Sequence, residues 1–250
     1  MVPTLWLVRH GETAWTRAGR YQGRADPSLT VMGKAEARAA GQILAAHGVR
    51  LVISSPLARA RQTACLAAPA GVPILIDPRL MELDFGAWEG LTQVEVRHRF
   101  PQALRRWKRE PAVARPPGGE TLAEASARWH DFLADPPWTY PPGGKSAPGP
   151  VAVVTHAAII RLALLAAAGA GLDGFRGMAV PVGSVRRLDG AYPRAQPIEA
   201  SASASIESIS CTPSSAAGPA VIASGISVQP STTARAPRAI RPRAASASGS

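Results

Sequence analysis

Two kinds of block alternate along the chain: short unbroken apolar runs, and longer Ala-rich stretches with polar residues at helical spacing. The first run, residues 4–8, breaks into Arg9-His10-Gly11-Glu12-Thr13. A few Leu, Trp and Val residues closed by a glycine fit a buried parallel strand and are too short for a helix. Residues 50–53, 72–76 and 151–154 read the same way, and 184–188 makes a last strand.

Between these runs the pattern is helical. Thr30 is the expected cap of a helix over 35–46, closed by Gly48. Ser55 is the expected cap of the next, with Pro56 at its first position and Arg59 on its first turn, running to Leu66. Residues 91–110 read as helix interrupted at Pro101, and Thr121-Leu122-Ala123-Glu124 is a capping box opening a helix to Leu133. A further helix spans 157–168. Loops are expected at 13–29, around Glu82 and at Pro116-Pro117-Gly118-Gly119, and a surface linker at 136–150. Strands alternating with helices predict an α/β fold on a mostly parallel sheet.

After Pro193 the periodicity fades into Ser, Ala, Pro and scattered Arg. Such a segment buries too little apolar surface to offset its ordering entropy. The expected organisation is a folded domain over 1–192 and a disordered low-complexity tail over 193–250, with 221–222 and 226–228 as weak strand candidates.

Charge and cysteines narrow the setting. A net charge of +11 favours anionic partners. No basic stripe interleaved with aromatics, helix-turn-helix or zinc-finger spacing points to nucleic acid, so phosphorylated metabolites fit better. Cys65 and Cys211 lie far apart, the second in the expected tail, which reads as no disulfide framework and a reducing compartment. The N-terminus shows no signal-peptide pattern, and the apolar stretch 162–170 falls short of the roughly 20 residues a membrane span needs. The expectation is a soluble cytoplasmic protein without membrane contact; oligomeric state leaves no mark.

Two strands each end in a histidine, His10 and His156, and ligands in open α/β sheets bind beyond the carboxyl ends of strands. Arg9 follows the first strand, Arg59 opens a helix and Glu82 sits in a loop. Two guanidinium forks, a second histidine and a helix N-terminus suit a phosphate dianion. A neutral imidazole facing phosphorus is a competent nucleophile, and surrounding cations stabilise the transferring group. Glu82 is the nearest acid for the leaving oxygen, protonated when the substrate's own charge arrives. Metal ligation by the histidines lacks a third donor at ligand spacing, so metal binding is not expected. His47, His98 and His130 read as surface residues. The basic cluster Arg97, Arg99, Arg105, Arg106, Lys108 and Arg109 reads as a solvated helix face, with a lid over the site as the alternative.

These residues carry a resemblance. Leu7-Val8-Arg9-His10-Gly11-Glu12-Thr13, the segment Ser54-Ser55-Pro56-Leu57-Ala58-Arg59-Ala60-Arg61-Gln62-Thr63-Ala64, Glu82 with Phe85-Gly86-Ala87-Trp88-Glu89-Gly90, and Val153-Val154-Thr155-His156 together resemble the histidine phosphatase, or phosphoglycerate mutase-like, superfamily. The resemblance implies a three-layer α/β/α sandwich, His10 as phosphorylated nucleophile, and Arg9, Arg59 and His156 as the phosphate pocket. It also implies Glu82 as proton donor and later base, Thr16, Gln22 and Gly23 as candidate substrate contacts, and no metal or organic cofactor. Thr16 stands where members often carry Asn, and Ala157-Ala158 where glycines are common. The short interval from Glu82 to His156 is similar to that of the phosphatase branch, including α-ribazole and broad-specificity sugar phosphatases. The function expected is phosphomonoester hydrolysis; the alternatives are a phosphoglycerate mutase, a non-catalytic phosphate-binding module, and a tail that tethers the domain to an acidic surface.

Overall fold

A computed structural model describes residues 3–139, 149–189, 207–209 and 211. In chain order the elements are β1 (Leu5–Arg9), α1 (Ala14–Arg17), α2 (Val31–Ala46), β2 (Leu51–Ser54), α3 (Ala58–Ala67) and β3 (Ile74–Ile76), then α4 (Gln93–Arg99), α5 (Pro101–Arg109) and α6 (Leu122–Ala134). The chain goes on through β4 (Val151–Thr155), α7 (Ala157–Ala167), β5 (Val185–Leu188) and β6 (Glu207–Ile209). The sheet order is β5-β1-β4-β2-β3-β6. The four inner strands are parallel, and β5 and β6 close the edges antiparallel.

Strand alternation builds the layers. Leu5 and Leu7 of β1, with Ile53 and Val153, join Trp88, Trp129, Phe132 and the apolar face of α7 in one core. Trp6 and Val8, with Val52 and Val154, face the opposite way onto Ala40 and Leu44 of α2 and Ala60, Ala64 and Ala67 of α3. A sheet buried on both faces reads as continuous apolar runs, as here. The result is the expected three-layer sandwich.

Several boundaries follow the sequence pattern. Thr30 caps α2 through a hydrogen bond from the Gly33 amide, and Thr121 with Glu124 forms the expected capping box on α6. The helix break comes at Phe100, with Pro101 at the first position of α5. The basic residues of α4 and α5 are exposed, and Arg106 and Arg109 both pair with Glu110, so this is a solvated face. His47 and His98 are exposed as expected; His130 is half-buried, held by the Ser126 carbonyl.

Other expectations are corrected. Ser55 does not cap α3: that helix starts at Ala58 with Leu57 as its cap residue and no side-chain capping bond. The loop after β1 contains the short helix α1, closed by a capping box between Thr13 and Thr16. The start of the expected surface linker is buried, with Trp138 edge-on against Phe132; residues 140–148 lie outside the described residues.

The composition-based boundary at 192 also gives way. Beyond it, Glu207–Ile209 pairs with β3, matching Ile74 to Ile209 and Ile76 to Glu207. That pairing carries Cys211 over α3, where it forms a disulfide with Cys65. Both sulfurs pack against the apolar core between α3 and the sheet. The inference of a reducing compartment from unpaired cysteines therefore loses its basis. Residues 212–250, with the 221–222 and 226–228 candidates, lie outside the described residues. No helix among the described residues is long and apolar enough to cross a membrane.

Candidate active site

Sheet register brings the site together. Arg9 of β1 pairs with Thr155 of β4, so His10 and His156 leave the two strands side by side, and the His10 amide donates to the Thr155 carbonyl at 3.0 Å. Ser54 of β2 pairs with Val154, which brings Ser55 abreast on the other side of β4. The two imidazole centroids stand 5.2 Å apart, close enough for both rings to touch one phosphate.

His10 is buried, and its Nδ1 lies 2.8 Å from the Gly11 carbonyl oxygen. A carbonyl only accepts, so Nδ1 carries the proton and Nε2 keeps its lone pair. Burial, then the charges of Arg59 and Arg9, hold the imidazole well below its ordinary pKa. The ring is therefore neutral near pH 7, the state a nucleophile requires. His156 is pushed down as well, by burial first and then by Arg59 and His10. Its Nε2 meets Ser55 Oγ at 2.8 Å, and its Nδ1 is buried without a partner.

Arg59 is fully buried, an expensive place for a guanidinium. Its Nη2 donates to the Gly23 carbonyl at 2.8 Å and its Nη1 to the Ala25 carbonyl at 2.7 Å, with Asp26 at 3.4 Å. Arg9 donates to the Val180 carbonyl. The Nε of each arginine is buried and unpartnered. Glu82 is the carboxylate that most supports the charge of both arginines, against the burial that lowers their pKa. Glu82 Oε1 accepts from its neighbour Leu83 and from the Ala158 amide in the first turn of α7. The five principal residues thus gather at the carboxyl edge of the sheet.

Close packing fixes the loop after β1. A Cβ on Gly11 would fall 2.2 Å from the Gly33 carbonyl oxygen, so α2 lies directly on this loop. The Gly11 amide donates to Thr63 Oγ1 at 3.1 Å, and Thr63 in turn donates to the Arg59 carbonyl.

The three candidate substrate contacts have local duties. Thr16 Oγ1 accepts from the Thr13 amide and donates to the Thr13 carbonyl, both at 2.9 Å. Gln22 is buried and accepts from the Thr13 hydroxyl. Gly23 adopts φ +54°, open to glycine at little cost, and turns its carbonyl onto Arg59.

Sequence reasoning missed Ser55 and Thr63 as parts of this assembly. Thr63 had a readable signal, four residues after Arg59 on one helix face. Among the described residues, no group of three or more His, Cys, Asp or Glu stands close enough to hold a metal ion.

Comparison with known proteins settles the family. The model of the histidine phosphatase superfamily, branch 1, matches residues 5–197. The chain belongs to this superfamily. Phosphoserine phosphatase 1 of Hydrogenobacter thermophilus is 39% identical over 132 residues, 52% of this chain and 63% of that protein. A 2,3-bisphosphoglycerate-dependent phosphoglycerate mutase of Methylobacterium radiotolerans is 40% identical over 131 residues, 50% of this chain and 61% of that one. The chain thus spans less than two thirds of these curated relatives. Among solved structures, a mycobacterial glucosyl-3-phosphoglycerate phosphatase in complex with VO3 is similar with a TM-score of 0.66 at 30% identity, covering 76% of this chain and 93% of that one. The α-ribazole phosphatase of Shigella flexneri has a TM-score of 0.65 at 26% identity, covering 78% and 99%. This member of the histidine phosphatase superfamily therefore has phosphatase-named relatives on both counts, with a mutase beside them.

Proposed function

We propose that this chain hydrolyses phosphomonoesters of small metabolites through a phosphohistidine on His10, with no metal required. One observation carries the reading: Arg9 Nε, Arg59 Nε and His156 Nδ1 are all buried without partners around a neutral His10. Buried polar atoms are nearly always paired, so unpaired ones clustered at a site call for a ligand. A phosphate dianion accepts from all three.

In the first step, the lone pair of His10 Nε2 attacks phosphorus as the bond to the ester oxygen breaks. Arg9, Arg59 and His156 hold the equatorial oxygens and stabilise the charge of the transferring group. Glu82 gives its proton to the departing alkoxide. In the second step, Glu82 takes a proton from water as that oxygen attacks the phosphohistidine, releasing phosphate and restoring both residues. Gln22 and Gly23 line the approach to Arg59 in this scheme, and the Thr16 hydroxyl acts through the Thr13 cap.

Brief incubation with labelled substrate leaves acid-labile, base-stable phosphate on the protein, and His10→Ala abolishes it. Label on any other residue, or strong inhibition by a chelator, overturns the reading.

A mutase is the second reading, favoured by the relative from Methylobacterium radiotolerans. It predicts 3-phosphoglycerate isomerisation that depends on bisphosphoglycerate and outpaces phosphate release. The short stretch between Glu82 and His156 favours the hydrolase. α-Ribazole phosphate and sugar phosphates are candidates for the panel that decides the substrate.

A further inference from the structure

We propose that Arg24 forms a second anion subsite beside the phosphate pocket, shaped for the carboxylate of a phosphorylated acid. The inference rests on the phosphatase reading above and names its substrate class.

Arg24 lies between Gly23 and Ala25, the two residues whose carbonyls hold Arg59. Its backbone is fixed: the amides of Arg24 and Ala25 donate to the two oxygens of Glu89 at 2.7 and 2.8 Å. The side chain reaches Met81, the residue before Glu82, where Nη1 meets the thioether sulfur at 2.8 Å. The guanidinium therefore sits at the proton-donor side of the pocket, where the leaving group emerges.

That guanidinium has little to hold it. A thioether is a weak acceptor. Glu120 lies 3.6 Å away, but both of its oxygens are already taken by Arg128 in a bidentate pair at 2.7 and 2.9 Å. Arg24 Nε is buried with no partner. One carboxylate is thus shared by two guanidinium groups, and the Nε edge of Arg24 is left without a partner.

A planar fork with an unused edge matches a carboxylate bidentately. Glu120, Asp84 and Glu82 support the charge of Arg24 against its burial and the neighbouring Arg128.

The test uses the full chain carrying His10→Ala, so that ligands bind without turnover, and a ligand pair differing only in the carboxylate. Calorimetry with O-phosphoserine and O-phosphoethanolamine is expected to show the first bound at least about tenfold more tightly, the scale of one charge-assisted hydrogen bond. Adding Arg24→Gln is expected to abolish that preference. Equal affinities before Arg24 is changed, or a preference that survives Arg24→Gln, overturns the subsite whether or not the variant is fully stable. Should the parent protein hydrolyse no phosphomonoester while the preference holds and depends on Arg24, the hydrolase reading falls and the subsite stands. If neither ligand binds, the subsite falls, and the hydrolase reading is judged separately by phosphate release from the wider panel.

Discussion

Ser55 Oγ lies 2.8 Å from Nε2 of His156, and this contact decides what the ring can offer an anion. Phosphate oxygens only accept, so His156 must present Nδ1 with its proton. The neutral ring then needs a donor at Nε2, and the Ser55 hydroxyl supplies it while accepting from the Leu57 amide at 3.3 Å. Should the ring become charged, the same hydroxyl can turn and accept. Ser55 is thus a positioning residue.

Ser55→Ala is expected to weaken binding of inorganic phosphate about tenfold, the scale of leaving one buried nitrogen unpaired. The tautomer gives the specific readout. Nitrogen NMR of His156 with phosphate bound should show an Nδ1 proton in the parent and a mixture in the variant. An unchanged tautomer would refute the role.

Acid sensitivity follows from the two buried rings. Both imidazoles are lowered well below the ordinary value of about 6.5, by burial and neighbouring cations. As pH falls below 6.5 the unfolded chain takes up protons that the folded chain refuses, so stability drops. The slope is about 1.4 kcal/mol per pH unit for each ring until the folded rings titrate. Above 6.5 the two residues contribute no pH dependence. Denaturant titrations from pH 7.5 to 5 check this, and a flat profile would contradict it. For activity, His10 should remain a competent nucleophile below pH 6.5. Arg59→Gln removes the largest charge that lowers His10, so the acid limb of kcat/KM should move up.

Gly11 and Gly33 form a seam that tolerates no side chain. Gly33→Ala would place its Cβ 2.1 Å from the Glu12 carbonyl oxygen, forcing α2 away from the loop. The expected cost is about 1–3 kcal/mol, as for other overpacked contacts. kcat should fall more than KM rises, because the loop carries His10, the proposed nucleophile. Thermal unfolding and steady-state kinetics measure the two effects, and a variant matching the parent in both would show the seam to be slack.

The disulfide makes a separate prediction. Cys65 and Cys211 are 146 positions apart, so their link closes a long loop in the unfolded chain. Chain entropy for such a loop implies about 4–5 kcal/mol of stabilisation, with engineered cases often lower. Reduction, or Cys211→Ser, should therefore lower Tm by several degrees. No thiol should react with maleimide in the unreduced protein. A Tm indifferent to reductant would leave β6 held by its strand pairing alone.

What the chain disclosed follows from how local each signal is. β1 and β4 are legible because both are buried on two faces and end abruptly on Arg-His and Thr-His. Thr30, Thr121 and Pro101 announce their helix ends through chemistry confined to one turn. Ser55 misled because a serine before a proline has the form of a cap, whereas its partner stands a hundred positions away on another strand. β6 lies inside a Ser-rich stretch, where a three-residue strand has no period to read. The disulfide has no local trace either, since only the folded sheet brings residue 211 over α3. The unpartnered Nε of Arg24 is likewise invisible until Arg128 is seen to occupy Glu120.

The strand order has a bearing on assembly. β1 and β2 never pair; each pairs with β4, which enters the sheet between them only after nearly a hundred further residues. During synthesis the earlier strands must wait with an open slot, and non-local pairing of this kind is slow and exposes bare edges. A nascent chain that stops short of β4 lacks not only a histidine but the wedge that sets its two halves at working distance. The pairing of the two histidines thus waits on a late event, when the last inner strand slides home.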